Sequence, residues 1–356
     1  MERFIGIDVH KDSSTVAVMG PSGKKIRCDV VETNGAVLVE MMKQIPGKRH
    51  LCIEETLQSG WLREVLHPHV EEIVIEGTTE RRDRSRPKTD EADAWGLAER
   101  LRTGAVKNRV YKAPRELEAL REAVLAYGLV MRDLVRVKNR LRAVYRSRGI
   151  SVDGEDIYRA GRREEQQAKL SPGKRMLVEM MVQQLDVLET LAESAEKRVE
   201  EEAGAHRAVA RLKTAPGFGP IRAAQVLAFA MTPHRFRTTR QFWSYCGLSI
   251  VMRTSSDWVR ENGRWIRSDN AMKTRGLTCR RQPVLKNVFK GAAHTVVGKM
   301  KEHPLACKYQ QMCEAGTKPS LAMLTIARKI AGAVFAMWKH EEDYDPERQV
   351  GRPPPA

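Results

Sequence analysis

The sequence predicts an α/β domain at the N-terminus, a helical coiled-coil region in the middle and a mainly α C-terminal domain. Three observations carry this reading. Short apolar, β-branched runs alternate with amphipathic stretches through the first third of the chain. Beyond Pro114 the apolar residues change to heptad spacing. From Ala205 onward, two helical stretches meet at a Pro-Gly-x-Gly turn, and a long apolar helix closes the chain. The expected domains are residues 1–113, 114–204 and 205–345, with a disordered tail over 346–356.

Strands are expected at residues 3–9, 14–19 and 25–32. A helix over 35–44 sets Val37, Leu38, Met41 and Met42 on one side. A strand at 50–54, a helix near 61–66, a strand at 71–75 and a helix opening at about Asp90 complete the domain. Three consecutive strands followed by alternation fit a mixed sheet, antiparallel at its start and parallel in its continuation.

Pro114 suits the first turn of a helix. Apolar positions then recur at Leu117, Leu120, Val124, Tyr127, Met131, Leu134, Leu141 and Tyr145, with Lys138 as the polar intruder, and the pattern ends at Gly149. A second helix follows Pro172, with Leu177, Met181, Leu188, Leu191 and Ala195 on one stripe. The polar stretch between them, "GRREEQQAKLSPGK", reads as a loop. The two helices can pair within the chain or between subunits. In "TAPGFGPIRAAQVLAF", Gly217 and Gly219 would let backbone amides approach a phosphate, or would serve a plain helix–helix turn. The apolar stretch over 321–338 is broken by Arg328 and Lys329, so it reads as a buried or half-buried helix rather than a membrane span. Those two cations join the candidate nucleic-acid contacts.

A chain of 356 residues has room for two or three domains with proper cores, and 42% hydrophobic content excludes a disordered protein. The formal charge of +17 is the footprint of a protein that meets a polyanion, nucleic acid being the usual one. Six scattered cysteines with no C-x-x-C pair exclude a zinc ribbon and a disulfide framework. They imply reduced thiols in a cytosolic compartment. The N-terminus enters a strand directly, so no signal peptide is expected.

"FIGIDVHKDSS" places Asp8 at the end of a buried strand, where an unpaired carboxylate is costly. It either caps a turn or binds a metal. Glu54 closes a second apolar strand in "HLCIEET", and its neighbour Glu55 faces the opposite way. Asp90 and Asp93 in "KTDEADA" are three apart and share a helix face. Four carboxylates at two strand ends and one helix start can meet at the edge of a sheet. Clustered acids raise one another's pKa unless a cation separates them. Mg²⁺ is the natural partner, and two such ions ~4 Å apart can clamp an in-line attack on phosphorus. Taken singly, the two helix acids also suit the helix dipole.

Directly before Asp90, Arg81, Arg82, Arg84, Arg86 and Lys88 form a basic loop. It is a solvated charge run or, beside a metal site, a guide for a phosphate backbone. "MRDLVRVKNRLRAVYRSRG" gathers Arg132, Arg136, Lys138, Arg140, Arg142, Arg146 and Arg148 against the single acid Asp133. An ordinary coiled coil balances its charges better, so structured RNA or a duplex is the expected contact.

"GIDVHK", "CIEE" and "KTDEADA", in that order and spacing, resemble the DEDD-type insertion-sequence transposases. This is the family understood as bridge-RNA-guided DNA recombinases. "APGFGPIRAAQVLA", "RQFWSYCGLS" and "GTKPSLAMLTIARKIAGAVFAMW" extend the resemblance over about residues 3–345. It implies a ribonuclease-H-like (RuvC-like) N-terminal domain, with Asp8, Glu54, Asp90 and Asp93 as the metal-binding tetrad. It also implies a serine nucleophile in the second domain, shortly after "CGLS". Counting from Gly247, that serine falls on Ser255, with Ser256 adjacent. Asp257 and Trp258 follow where the family shows glycine, and Asp269 or Asn270 stands where a downstream glycine is common.

No histidine lies near Ser255 in the chain, His234 being the closest. Activation of the hydroxyl would then come from the metal site, on the same or a neighbouring subunit. The resemblance implies donor and target DNA, a bridge-type non-coding RNA, a homo-dimer or tetramer, and Mg²⁺ as cofactor, in a cytoplasmic prokaryotic protein. A metal-dependent junction nuclease using water as nucleophile is the alternative. A non-enzymatic nucleic-acid-binding protein is a second one, against which four intact acids speak.

Overall fold

The alternation of the first 32 residues produces three strands, β1 (Glu2–Val9), β2 (Ser13–Met19) and β3 (Lys25–Glu32). In this computed structural model residues 1–77, 89–252, 258–267, 274–279 and 281–346 are described. They divide into two compact units, Met1–Lys112 and Ala113–Ala356. In the first unit β1, β2 and β3 pair antiparallel, with Asp8 opposite Thr15. Helix α1 (Gly35–Gln44) is capped by Asn34, whose side chain accepts from the Ala36 amide. It returns the chain to β4 (Lys48–Glu54), which lies parallel to β1 with Ile53 beside Ile7. Helix α2 (Ser59–Leu66) leads to β5 (Glu72–Glu76), parallel to β4. The sheet order is β3-β2-β1-β4-β5. The expected mixed sheet, antiparallel first and parallel after, is the one found.

Alternation gives the sheet two apolar faces. Ile5, Ile7, Val16, Val18, Leu51 and Ile53 pack with Leu38 and Met42 of α1 and with Leu62 and Leu66 of α2. Phe4, Ala17, Cys52 and Val74 face the other way, toward α3 (Asp90–Arg102) and its Ala94, Leu97, Ala98 and Leu101. Gly6 lies on this second face. A Cβ there would stand 2.1 Å from the Ala94 carbonyl oxygen and 2.6 Å from the Ala98 nitrogen. Glycine therefore lets α3 settle directly on the β1 backbone.

In the second unit a 3-10 turn at Arg115–Leu117 precedes α4 (Glu118–Arg146), so the helix opens four residues after Pro114. Two short helices follow, α5 (Gly154–Tyr158) and α6 (Ala160–Ala168), then α7 (Pro172–Gly204). Helices α4 and α7 pair within the chain, which resolves one of the two arrangements left open. Two expectations need correction. The polar stretch from Gly161 is not all loop, since α6 occupies most of it. Its buried residue is Arg163, which bridges Asp186 at 2.6 Å and donates to the Tyr158 carbonyl. A charged residue thus holds a helix that the apolar pattern does not show. The stripe of α7 holds in part: Met181 and Leu188 pack against the seam as expected, but its buried positions are Val178, Leu185, Ala192 and Val199, and Leu177 and Leu191 are exposed. The buried set keeps a strict seven-residue repeat, which is what a partner helix selects.

Lys138 sits in the α4 seam by pairing with Glu189 at 2.9 Å and lying over the Tyr158 ring. The rest of the unit is a helical core of α8 (Arg207–Leu212), α9 (Pro220–Ala230), α10 (Thr239–Tyr245), α11 (Pro283–Lys299), α12 (Pro304–Glu314) and α13 (Pro319–His340). Helix α13 is long and apolar enough to cross a bilayer, but Ile326, Ile330, Val334 and Phe335 are packed in this core. The described residues between α10 and α11 include four short strands, β6 (Ile250–Met252), β7 (Trp258–Glu261), β8 (Arg264–Arg267) and β9 (Thr274–Leu277). β6 pairs with β9, and β7 with β8.

Gly6→Ala forces α3 off the sheet, because the clashing atoms are backbone. The expected result is a loss of about 1–3 kcal/mol or more in unfolding free energy, read by denaturant titration. An unchanged midpoint would show that α3 tolerates the displacement.

Candidate active site

Asp8 is carried by β1 and lies on the α3 face, two residues beyond Gly6. Its side chain is only 10% exposed. Alternation carries Glu54 to the same face as Cys52, at the end of β4 next to β1. Glu55 turns away and pairs with Lys112 at 3.3 Å. Helix α3 begins with Thr89, whose hydroxyl accepts from the Ala92 amide at 3.2 Å. That cap fixes the first turn, and with it Asp90 and Asp93. The ends of two parallel strands and one helix start thus bring four carboxylates to one sheet edge.

The electrostatics of Asp8 register this crowding. Burial above all pushes its carboxyl above the ordinary range, His10 opposes the shift, and Asp93, Glu54 and Asp90 each add to it. The Asp8 carboxylate meets the His10 ring at 3.3 Å rather than a turn amide. The same nitrogen, Nε2, lies 3.2 Å from Asp90. One ligand atom each from Asp8, His10 and Asp90 fall within 4.8 Å of one another. Oxygen donors with one imidazole nitrogen suit a divalent cation. A fifth acid at this edge, Glu76, is neutralised by Arg100 at 2.7 Å.

His10 is the residue that sequence reasoning missed. The signal was present in "GIDVHK", since positions 8 and 10 share a side in an extended chain. Its backbone is held by a hydrogen bond from its amide to Ser13 and one from the Thr33 hydroxyl to its carbonyl.

Other expected contacts have mixed placements. Arg136, Arg140 and Arg142 are exposed on α4, as are Arg132 and Arg146, and Arg148 is exposed just beyond its end. Gly217 has φ +72°, and a Cβ there would meet the Ala292 carbonyl oxygen at 2.5 Å, so packing on α11 demands glycine. Arg222 donates to the Gly217 carbonyl and to Thr295. Gly219 caps α9 with open space where a Cβ would be. Arg328 donates from Nε to the Leu248 carbonyl at 2.7 Å, and Lys329 is half-buried beside it. Arg81, Arg82, Arg84, Arg86, Lys88, Ser255, Ser256, Asp257, Asp269 and Asn270 lie outside the described residues, as does the tail from residue 347.

Acids converging at a sheet edge in a strongly basic chain are the pattern of a protein that works on nucleic acid. Residues 5–147 match a DEDD transposase family of the IS110 type, described as Transposase, and residues 209–278 match the Transposase IS116/IS110/IS902 family. Together the two spans take in more than half of the chain. The first contains Asp8, Glu54, Asp90 and Asp93, and the second contains Ser255. No curated protein matches the chain. The chain belongs to the IS110-type family of DEDD insertion-sequence transposases. It is a DNA transposase, an enzyme acting on phosphodiester bonds.

A carboxyl whose folded pKa is raised makes its ionised form a liability for folding. The liability is present above the folded pKa and vanishes below the unfolded one. Asp8→Asn in chelator should therefore raise the melting temperature at pH 7, and the gain should fade as pH drops toward the ordinary carboxylate range. Added divalent cation should stabilise the unaltered protein and not the variant. An Asp8→Asn protein that melts lower than its parent at pH 7 in chelator would contradict this electrostatic account.

Proposed function

We propose that this transposase is a recombinase that cuts and rejoins DNA through a covalent serine–DNA intermediate. Ser255 is the nucleophile, and Asp8, Glu54, Asp90 and Asp93 hold Mg²⁺. The observation that carries the reading is the gathering of four carboxylates on one face at the ends of β1 and β4 and the start of α3. A cation entering the group would relieve the mutual repulsion that helps to raise the Asp8 carboxyl. Three antiparallel strands continued by two parallel ones, with the acids at this edge, support a ribonuclease-H-like (RuvC-like) unit. When bound, Mg²⁺ supplies charge stabilisation at phosphorus and at the leaving oxygen.

The chain's own residues do the rest. The Ser255 oxygen forms a bond to phosphorus, the bond from phosphorus to the next nucleotide's oxygen breaks, and that oxygen leaves as a hydroxyl with a proton. Attack by the hydroxyl of another strand on the serine phosphodiester then reverses the step and frees the serine. Donor and target DNA are the substrates. A structured, bridge-type RNA is the proposed guide, and the exposed arginines of α4 are its proposed contacts. A dimer or tetramer is proposed because two duplexes must be cut. The protein would work in the cytoplasm, at the nucleoid.

A suicide DNA substrate with Mg²⁺ and the guide RNA tests the nucleophile. Denaturing gels should show protein joined to DNA, and Ser255→Ala should lose the adduct and recombination while still binding. Ser256→Ala should keep most activity. Asp8→Asn or Asp93→Asn should abolish cleavage. If no adduct forms and both serine variants still cleave, water is the nucleophile and the protein is a junction-type nuclease.

Affinity offers a second test. Neutralising Arg140, Arg142 and Arg146 together should reduce the slope of log affinity against log salt by about 2–3, as three fewer phosphate contacts release fewer ions. An unchanged slope would place these arginines off the nucleic acid.

A further inference from the structure

Strands β7 and β8 form a hairpin closed by Asn262 and Gly263, with φ of 49° and 80°. Two positive φ values make the tight turn that Asn-Gly favours, so the register is fixed by the turn itself. In that register Arg260 stands opposite Trp265 and Trp258 opposite Arg267. Alternation puts Trp258, Arg260 and Trp265 on one face. Trp258 is 59% exposed and Trp265 67% exposed. The hairpin forms a two-stranded sheet of its own. Two large aromatic rings held out of the core beside an arginine, on a two-stranded ribbon, are an arrangement that folding does not reward.

We propose that this face of the hairpin binds unpaired DNA, with the indoles of Trp258 and Trp265 stacking on bases and Arg260 meeting the phosphates. Diagonal neighbours on an antiparallel pair are about 7–8 Å apart. That is close to two base-stacking steps of ~3.4 Å, so one base fits between two neighbouring rings. Bases inside an intact duplex already stack on each other and offer only their edges, so the face selects a strand that has been opened. The cation beside the rings and the +17 charge of the chain match an anionic strand and argue against an apolar protein partner. DNA is chosen because Trp258 stands three residues after Ser255. The covalent chain keeps the two within about 11 Å whatever path it takes. This step rests on the proposed role of Ser255, and it makes the hairpin the grip on the strand being cut.

Full-length protein is titrated with a short oligodeoxythymidine, the matching oligouridine and a blunt DNA duplex, following tryptophan fluorescence and anisotropy. The single DNA strand should quench the fluorescence. Trp258→Ala with Trp265→Ala should weaken it by about tenfold or more and leave duplex affinity unchanged. Phe at both positions should restore much of the loss. Arg260→Ala should lower the salt slope, which the tryptophan changes should not. Melting curves confirm that each variant folds. Unchanged single-strand affinity, or equal losses for strand and duplex, would overturn the proposal, and a preference for oligouridine would overturn the choice of DNA. A selective single-strand loss together with no serine–DNA adduct would sink the nucleophile reading and keep the hairpin as a single-strand grip.

Discussion

The approach of α3 to β1 over Gly6 is the contact on which the N-terminal site depends. Backbone meets backbone there, leaving no side chain to adjust. With α3 seated, Leu97 and Leu101 fill the space beside Cys52 and Val74. The Thr89 cap fixes where the first turn begins. That turn carries Asp90 and Asp93 at the edge where Asp8 and Glu54 emerge. A side chain at position 6 would lift the helix and scatter the four acids together.

That gathering works against folding. Asp8 is buried at the end of β1, and burial first, with the nearby Asp93, Glu54 and Asp90 adding to it, pushes its carboxyl above the ordinary range. His10 answers part of it by standing between Asp8 and Asp90. One ring nitrogen cannot satisfy two carboxylates as fully as a cation can. Glu76 shows the alternative, an acid at the same edge tied to Arg100 and so removed from the cluster. Glu76 is held by Arg100, whereas Asp8 and Asp90 share the one ring of His10.

The second unit separates its duties. The α4–α7 hairpin buries a heptad seam and turns arginines outward along α4. Gly217 is fixed by contact with α11, and Arg328 holds the Leu248 carbonyl just ahead of β6. These are packing tasks for residues whose composition suggests nucleic-acid contact, and packing alone explains the glycine at 217. The exposed tryptophans of β7 and β8 have no such task.

Sequence alone determined the order and type of the N-terminal elements, because alternation and helical periodicity are local and strong there. It also singled out the four acids, since each stands where an apolar run stops or a helix starts. The family was legible in three short motifs. The hairpin went unread, although Asn262-Gly263 in "ENGRW" is a local turn signal. What only the tertiary structure decided were relations between distant residues. Arg163 makes α6 a helix by reaching Asp186, and no periodicity records an ion pair across the chain. The buried stripe of α7 runs through Val178 and not Leu177 because the facing side of α4 chooses it. His10 joins the acids because Asp90 arrives from a helix eighty positions away in the chain. Local pattern shows which residues want burial or a turn; which of them meet is set by packing, where a missing Cβ at Gly6 counts as much as any charge.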